Sequence, residues 1–382
     1  MMTGKSEFSK EELERYARQF VLKDFGYENQ LKLKKSSVLV IGAGGLGAPL
    51  LLYLTAAGIG KLGIVDFDSV QLSNLQRQVL FDTQDLGMNK ANAAVQHLAA
   101  LNPETRLHSY AEKLTSLNVS AIIDDYDIVV DCSDNFPTRY LANDACILRD
   151  KPLVYGAILQ FEGQLSVFNV KENQKFSTNY RDLFPQPPPP ESIPNCEEVG
   201  VLGVLPGFIG TLMATEVIKL ITRVSSPLTD QLLIVDALSL EFTKIKIPDR
   251  STRNEVTRLI DYEDFCGVSV KKSKYLGMKE CTVQELQRLI EENEDHQLID
   301  VREPHEYDIC NIGGELIPMA QVPHSLEKIS KEKKVIVHCR TGGRSRQIIM
   351  WLEKNHGFDN LYNLQGGITE WANSIDPSLD VY

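Results

Sequence analysis

Apolar positions along the chain alternate between a helical and a strand period, and the changes of period mark out the elements. Ser9 and Glu12 form a capping-box pattern ahead of an amphipathic stretch. There Leu13, Tyr16, Phe20 and Val21 share one helical face, which predicts a helix over residues 10–25. A strand (SVLVIG), a glycine turn and an apolar helix (LGAPLLLYLTAAG) follow, then a second strand, GKLGIVDFD. A third apolar run, YDIVVDCSDN, ends in polar residues, and KPLVYGAIL comes after it. Strands alternating with helical stretches predict an α/β fold whose parallel sheet is covered on both faces. Residues 38–60 form an uncharged run long enough to span a bilayer. Gly42, Gly44, Gly45 and Gly47 interrupt it and Pro49 follows them, so a buried strand, a tight turn and a buried helix account for it without lipid.

The pattern breaks over residues 171–206. The stretch FPQPPPPESIPNC is too rich in proline for a central strand or a helix interior, and it reads as a stiff, extended crossing segment that ends at Cys196. A helix resumes near residues 207–222, followed by the strand-like QLLIVDA and the alternating FTKIKI. Residues 249–274 are polar, charged and almost aperiodic, which marks a linker between a first domain over residues 1–248 and a second over 275–382. The second domain shows a helix (CTVQELQRLIEEN), strands QLIDVRE and KKVIVHC, a cysteine loop, a helix (RSRQIIMWLEKNHG) and a final helix after LQGG. It is again α/β.

Composition changes this picture little. The chain has 382 residues, 43% hydrophobic and 24% charged, as in ordinary soluble domains. A net charge of -12 argues against nonspecific binding of a nucleic-acid backbone. Seven cysteines without close spacing do not form a disulfide framework. With a charged amino terminus that has no apolar core, they point to a reducing, cytoplasmic setting and to no membrane.

Two segments carry chemistry. Gly42, Gly44 and Gly47 satisfy G-x-G-x-x-G between a strand and a helix. Such a turn brings backbone amides and a helix amino terminus up to phosphate oxygens. The second strand ends in Asp66 and Asp68, placed to bind ribose hydroxyls. Taken alone, this is the pattern of a nicotinamide or flavin oxidoreductase. SNLQRQ follows, with Ser73, Asn74 and Arg77, and Lys90 lies further on. Two cations suit a triphosphate that must lose pyrophosphate better than a dinucleotide. Asp134 and Asn135 close the third strand, where a carboxylate can hold magnesium between phosphates or a helix cap can sit.

The other segment is HCRTGGRS. Cys339 lies at a strand-to-helix turn, where amides converge on its sulfur and where Arg340 and Arg344 add positive charge, so thiolate or persulfide is favoured. Four residues separate Cys339 from Arg344, one fewer than in phosphatase loops, a size that suits sulfur rather than phosphate. His338 lies on the strand, where its side chain faces away from that of Cys339, and is expected to be structural. Cys132, Cys146, Cys266, Cys281 and Cys310 are expected to be packing residues.

ERYARQ, GAGGLG, VDFDSVQLSNLQRQ, GMNK, DCSDN and NCEEVGVLGVLPG occur in the order found in the MoeB/ThiF family, bacterial relatives of ubiquitin-activating enzymes, and residues 9–247 resemble that family. HCRTGGRS, with LIDVREPHEY and LQGGITEW beside it, resembles rhodanese sulfurtransferases over residues 275–380. The expected architecture is therefore a Rossmann-like doubly wound domain followed by a smaller rhodanese-like domain.

The resemblance implies ATP-dependent adenylylation of the terminal glycine of a ubiquitin-like sulfur carrier. It also implies a homodimer in which Arg18 reaches the partner subunit's ATP, and a transient covalent bond at Cys196. A Cys339 persulfide, loaded by a cysteine desulfurase or thiosulfate, would then supply sulfur. Many family members hold zinc on two C-x-x-C pairs. Here Asn179 and Asp182 occupy the first pair's places, Glu263 one place of the second, and Cys266 alone remains, so no structural zinc is expected. The rival readings are a nicotinamide oxidoreductase fused to a sulfurtransferase, and a non-catalytic module that docks the carrier.

Overall fold

The computed structural model describes residues 7–188, 200–267 and 277–382. The chain divides into two compact units, Met1–Val268 and Ser269–Tyr382.

The first unit is built on ten strands: β1 (Ser37–Ile41), β2 (Lys61–Val65), β3 (Arg106–Tyr110), β4 (Ile128–Asp131), β5 (Leu153–Leu159), β6 (Glu162–Phe168), the small hairpin β7 (Lys171–Glu172) and β8 (Lys175–Phe176), β9 (Gln231–Asp236) and β10 (Glu241–Lys246). Eight of them form one sheet in the order β3-β2-β1-β4-β5-β6-β9-β10. The β3-to-β5 half is parallel and has the 3-2-1-4-5 order of a doubly wound nucleotide fold. From β5 onward the pairs are antiparallel, because the connection from β5 to β6 is a tight turn with Gln160 at positive φ, so the sheet is mixed rather than wholly parallel.

Alternate residues of the central strands feed two separate cores. Val38, Val40, Leu62 and Ile64 pack under the helices Gly47–Ala57, Lys90–Leu101 and Val204–Thr222. Leu39, Ile41 and Val129 pack on the other face under Val119–Asp124 and Phe136–Leu148. Burial on both faces explains the continuous apolar strands. Residues 38–60 resolve as expected into strand, turn and helix. The helix Val204–Thr222 is apolar and long enough to cross a membrane, but Ile209, Met213 and Val217 are buried in the core of this unit.

The amino-terminal helix expected over residues 10–25 is broken. The Ser9–Glu12 capping box forms, with Ser9 Oγ accepting from Glu12 N–H at 3.1 Å and Glu12 Oε2 accepting from Ser9 N–H at 2.7 Å. The helix stops at Arg15, a short turn follows at Ala17–Phe20, and Gly26–Lys35 begins anew. The bend lies at Tyr16, whose ring packs against Gly58 and whose hydroxyl accepts a 2.9 Å bond from Asn102 Nδ2. Val21, predicted on the apolar face, is 78% exposed.

Residues 249–267, expected to begin a linker, belong to the first unit. Thr252 is buried and its Oγ1 donates to Asp182 Oδ1 at 2.8 Å. Asn179 caps the helix Tyr180–Leu183, and its Nδ2 donates to Asp182 Oδ2 at 2.7 Å and to Thr252 Oγ1 at 2.9 Å. Arg181 donates to both oxygens of buried Asp144 at 2.8 and 2.7 Å, and Tyr262 Oη donates to Asp144 Oδ2 at 2.8 Å. Residues 179–182 are thus tied by hydrogen bonds to Asp144 and Thr252, and most of the extended crossing expected to end at Cys196 lies outside the described residues. Glu263 pairs outward with Lys113, and Cys266 is buried, its thiol pushed up to about 11 by burial.

The second unit has a five-stranded parallel sheet in the order β11-β15-β14-β12-β13, from Glu280–Cys281 (β11), His296–Asp300 (β12), Glu315–Leu316 (β13), Lys334–His338 (β14) and Leu361–Leu364 (β15). The expected helices lie at Val283–Glu291, Gly343–His356 and Gly367–Ser374, and a further short helix, Pro304–Ile309, follows β12. The short edge strands and Pro304–Ile309 lack the length for a readable period.

Candidate active site

The glycine turn follows β1 at the carboxyl edge of the parallel strands. Gly42 has φ +94°, and a Cβ there would lie 3.0 Å from the Cys132 carbonyl oxygen. At Gly47 a Cβ would lie 2.0 Å from the Gly42 oxygen, so the return of the chain into the helix admits only hydrogen. Gly44 and Gly45 pack against Gln78 and Pro206, and the Arg77 stem passes 3.8 Å from the Cβ position of Gly45. Arg77 also donates to the Ser73 carbonyl at 2.9 Å. Asn74 is buried and its Oδ1 accepts from Gln71 N–H at 3.2 Å, which shapes the loop.

Asp66 grips the turn. Its Oδ2 accepts from Ala43 N–H at 2.8 Å and its Oδ1 from Asp68 N–H at 2.9 Å. Burial pushes its carboxyl up, against the pull of Lys90 and of the two amides. Lys90 is 7% exposed and its Nζ lies 3.2 Å from Asp68 Oδ2. The structure therefore brings residues 42–47, Asp66, Asp68, Arg77 and Lys90 together.

Asn135 is the amino-terminal cap of Phe136–Leu148, with Oδ1 accepting from Thr138 N–H at 3.0 Å. That hydrogen bond makes Asn135 a cap, and Asp134 beside it is exposed. Arg18 is exposed on Ala17–Phe20. Cys196 lies outside the described residues.

A buried pair beneath this edge escaped sequence reasoning. Asp131, 1% exposed, ends β4, and Arg139, 8% exposed, packs over Tyr155. Burial pushes the Asp131 carboxyl up while Arg139 pulls it down. The one signal was an arginine in the mostly buried helix that follows Asn135.

In the second unit Cys339 is 1% exposed, directly after β14. Its Sγ accepts from Gly342 N–H at 3.2 Å and lies 3.6 Å from Ser345 Oγ. Gly342 adopts φ +95° to turn its amide inward. The LQGG motif has a steric reason: a Cβ at Gly367 would come within 2.4 Å of the Cys339 oxygen and 2.5 Å of the Arg340 oxygen. Arg344 does not face the sulfur as a free cation. Both of its terminal nitrogens bind Glu306, at 2.5 and 2.6 Å, and the partnership offsets its charge. Burial acts to raise the Glu306 carboxyl, but the bonds from Arg344 and Tyr382 hold it down at about 2. His338 is fully buried 3.7 Å from Asp300, and burial lowers its pKa, as suits a neutral structural group. The five other described cysteines are buried.

Residues 16–256 match the ThiF family and residues 282–374 the rhodanese-like domain. The chain is 42% identical over 381 residues to the probable adenylyltransferase/sulfurtransferase MoeZ of Mycobacterium tuberculosis, covering 99% of this chain and 97% of that one. It is 40% identical to the adenylyltransferase and sulfurtransferase MOCS3 of Xenopus laevis, covering 99% and 90%. Among solved structures, Escherichia coli MccB with ATP aligns at a TM-score of 0.54 and 21% identity over 64% of this chain and 73% of that one, which is a likeness of fold. These matches favour adenylyl transfer over the nicotinamide alternative. The chain belongs to the ThiF family, extended by a rhodanese-like domain, and is an adenylyltransferase and sulfurtransferase.

Proposed function

We propose that the first unit adenylylates the terminal glycine of a ubiquitin-like sulfur carrier and that Cys339 delivers the sulfur. The observation that carries this reading is the convergence of the Asp66-locked glycine turn with Arg77 and Lys90, in one chain with a cysteine cradled by an amide and a hydroxyl. The turn's amides and the helix amino terminus receive phosphate, Asp68 the ribose, and Lys90 and Arg77 the charge that develops as pyrophosphate leaves. Asp134, an exposed hard-oxygen donor at the same edge, fits Mg2+, which would offset phosphate charge when bound. Arg18, exposed on its short helix, supports a homodimer in which it reaches the partner's nucleotide.

The carrier carboxylate attacks the α-phosphorus and pyrophosphate departs. The terminal sulfur of a Cys339 persulfide, loaded by a cysteine desulfurase or from thiosulfate, then attacks the acyl carbon and AMP departs. A thiol, for which Cys196 is the candidate, cleaves the resulting acyl disulfide at the Cys339 sulfur. That step releases thiocarboxylate and leaves a disulfide that a cytoplasmic dithiol reduces. The hydrogen bonds that hold residues 179–182 support a fold without structural zinc there. Molybdopterin, thiamine and tRNA-thiolation carriers are the substrates to try.

The test incubates the protein with ATP, Mg2+, a sulfur donor and each carrier, and reads the carrier mass for oxygen-to-sulfur exchange at its terminal glycine. Exchange with wild type and adenylylation alone with Cys339→Ala is the expected result. Thiocarboxylate formed by Cys339→Ala overturns the assignment.

A further inference from the structure

Residues 379–382 of the second unit run against the cysteine loop. Leu379 packs on the cluster of Cys281 and Leu286, and Val381 N–H donates to the Leu379 carbonyl at 3.0 Å, which fixes the approach of Tyr382. The Tyr382 hydroxyl donates to Glu306 Oε1 at 2.6 Å and accepts from Arg302 at 3.2 Å. It thereby joins two ion pairs: buried Arg302 with Asp300, and Glu306 with Arg344. On the Glu306 carboxylate, the Arg344 and Tyr382 bonds and a 2.9 Å bond from Glu303 N–H fix both oxygens. A carboxylate held at this many points cannot rotate, so the guanidinium it grips cannot rotate either.

The ring does a second thing. Arg340, the residue after the nucleophile, stacks its guanidinium 5.2 Å from the centre of the Tyr382 ring. Its Nε is buried with no hydrogen-bond partner among the described residues. Arg344 has a carboxylate for company, whereas what orients Arg340 here is an aromatic face. A cation held this way keeps its charge available for an anion. Thiosulfate, a donor of sulfane sulfur, is an anion: the Cys339 thiolate attacks its outer sulfur, the sulfur–sulfur bond breaks, and sulfite leaves with the electron pair.

We propose that Tyr382 is a positioning residue of the sulfurtransferase site, its hydroxyl fixing Arg344 through Glu306 and its ring holding Arg340 for the anionic sulfur donor. The proposal rests on the reading that Cys339 carries the sulfur, and it adds the part of the site that selects donor charge.

The test uses the full chain with thiosulfate as donor and cyanide as acceptor, comparing wild type, Tyr382→Phe, Tyr382→Leu and Cys339→Ala. Tyr382→Leu is expected to raise the KM for thiosulfate about tenfold with kcat changed less than about twofold. Tyr382→Phe, which keeps the ring, is expected to lower kcat/KM about threefold. Carrier-dependent ATP–pyrophosphate exchange by the first unit should be unchanged in both. Alkylation of Cys339 gives a readout that needs no turnover. The ratio of its rates with anionic iodoacetate and neutral iodoacetamide, read on the Cys339 peptide, should fall in Tyr382→Leu.

An unchanged ratio, or equal losses with both reagents, overturns the proposal, because a merely structural residue would slow the two alike. Activity persisting in Cys339→Ala sinks instead the assignment of Cys339 beneath it.

Discussion

Asp144 is the hub that ties residues 249–267 to the first unit, and its replacement tests that attachment. The carboxylate is 2% exposed and receives Arg181 through two nitrogens, Tyr262 through its hydroxyl and Asn143 at 3.1 Å. Asp144→Asn keeps the shape and one acceptor but leaves the Arg181 guanidinium, 12% exposed, without its counter-charge. Breaking one side of such a pair costs about 3–5 kcal/mol. For a unit of this size that amounts to a fall in melting temperature of about 6–20 °C, at roughly 2–4 °C per kcal/mol. Tyr262→Phe removes one hydrogen bond and should cost about 1–2 kcal/mol. The assay is calorimetry combined with tryptophan fluorescence. Both tryptophans, Trp351 and Trp371, lie in the second unit, so fluorescence follows that unit alone while heat capacity follows both. The calorimetric transition of the first unit should move and the fluorescence transition should stay. The reasoning fails if Tyr262→Phe is neutral within about 0.5 kcal/mol, the ordinary result for a surface change, since residues 249–267 would then be a linker after all.

Gly47→Ala would place a methyl 2.0 Å from the Gly42 oxygen and push the turn outward by about 1 Å, which should lower carrier-dependent ATP–pyrophosphate exchange at least about 100-fold with the protein still folded by circular dichroism. Lys90→Gln removes a buried cation beside Asp68, and exchange should fall about 10²–10³-fold in kcat; a loss under tenfold would exclude a role in stabilising the leaving phosphates. Glu306 titrates at about 2 in the folded unit against an ordinary 4.5, so its contribution, up to about 3 kcal/mol, is complete above pH 4.5 and is lost as pH falls towards 2. Acid unfolding followed by tryptophan fluorescence should show that loss in wild type, and Glu306→Gln should remove this part of the acid dependence.

What the sequence disclosed and what it hid differ in the distance over which contacts are made. The glycine turn, the cysteine loop and the Ser9–Glu12 box are local: each is a strand or coil entering a helix, and the residue types that permit the geometry lie within a few positions. The hidden features are pairings across the chain. Arg181 finds Asp144 at a separation of 37 residues, Tyr262 finds it at 118, and Tyr382 reaches Glu306 at 76. Neither partner of such a pair alters the hydropathy period around it, so Tyr262 read as linker and Arg344 as a free cation. Asp131 and Arg139 were hidden for a related reason. A buried charge in a helix is visible, but the Asp131 carboxylate whose charge it feels sits at the end of another element.

The two halves of the chain nonetheless use one device, and comparing them shows why each suits its own chemistry. In both, a parallel strand ends, a glycine near φ +95° reverses the chain, and a helix begins: Gly42 before Gly47–Ala57, and Gly342 before Gly343–His356. Such a turn concentrates amide dipoles at the carboxyl edge of a sheet. The difference lies in what occupies the concavity. In the second unit the protein fills it itself, with Cys339 Sγ 3.2 Å from the Gly342 amide, so that amide serves a sulfur fixed to the chain, and Arg340 and Arg344 hold their positions through Tyr382 and Glu306. In the first unit Asp66 binds the turn from outside, through Ala43, and the cations stand at its rim on Arg77 and Lys90. A cradle braced from behind and charged at its rim suits a polyanion that arrives and departs. One plugged by its own nucleophile suits a single atom passed from hand to hand.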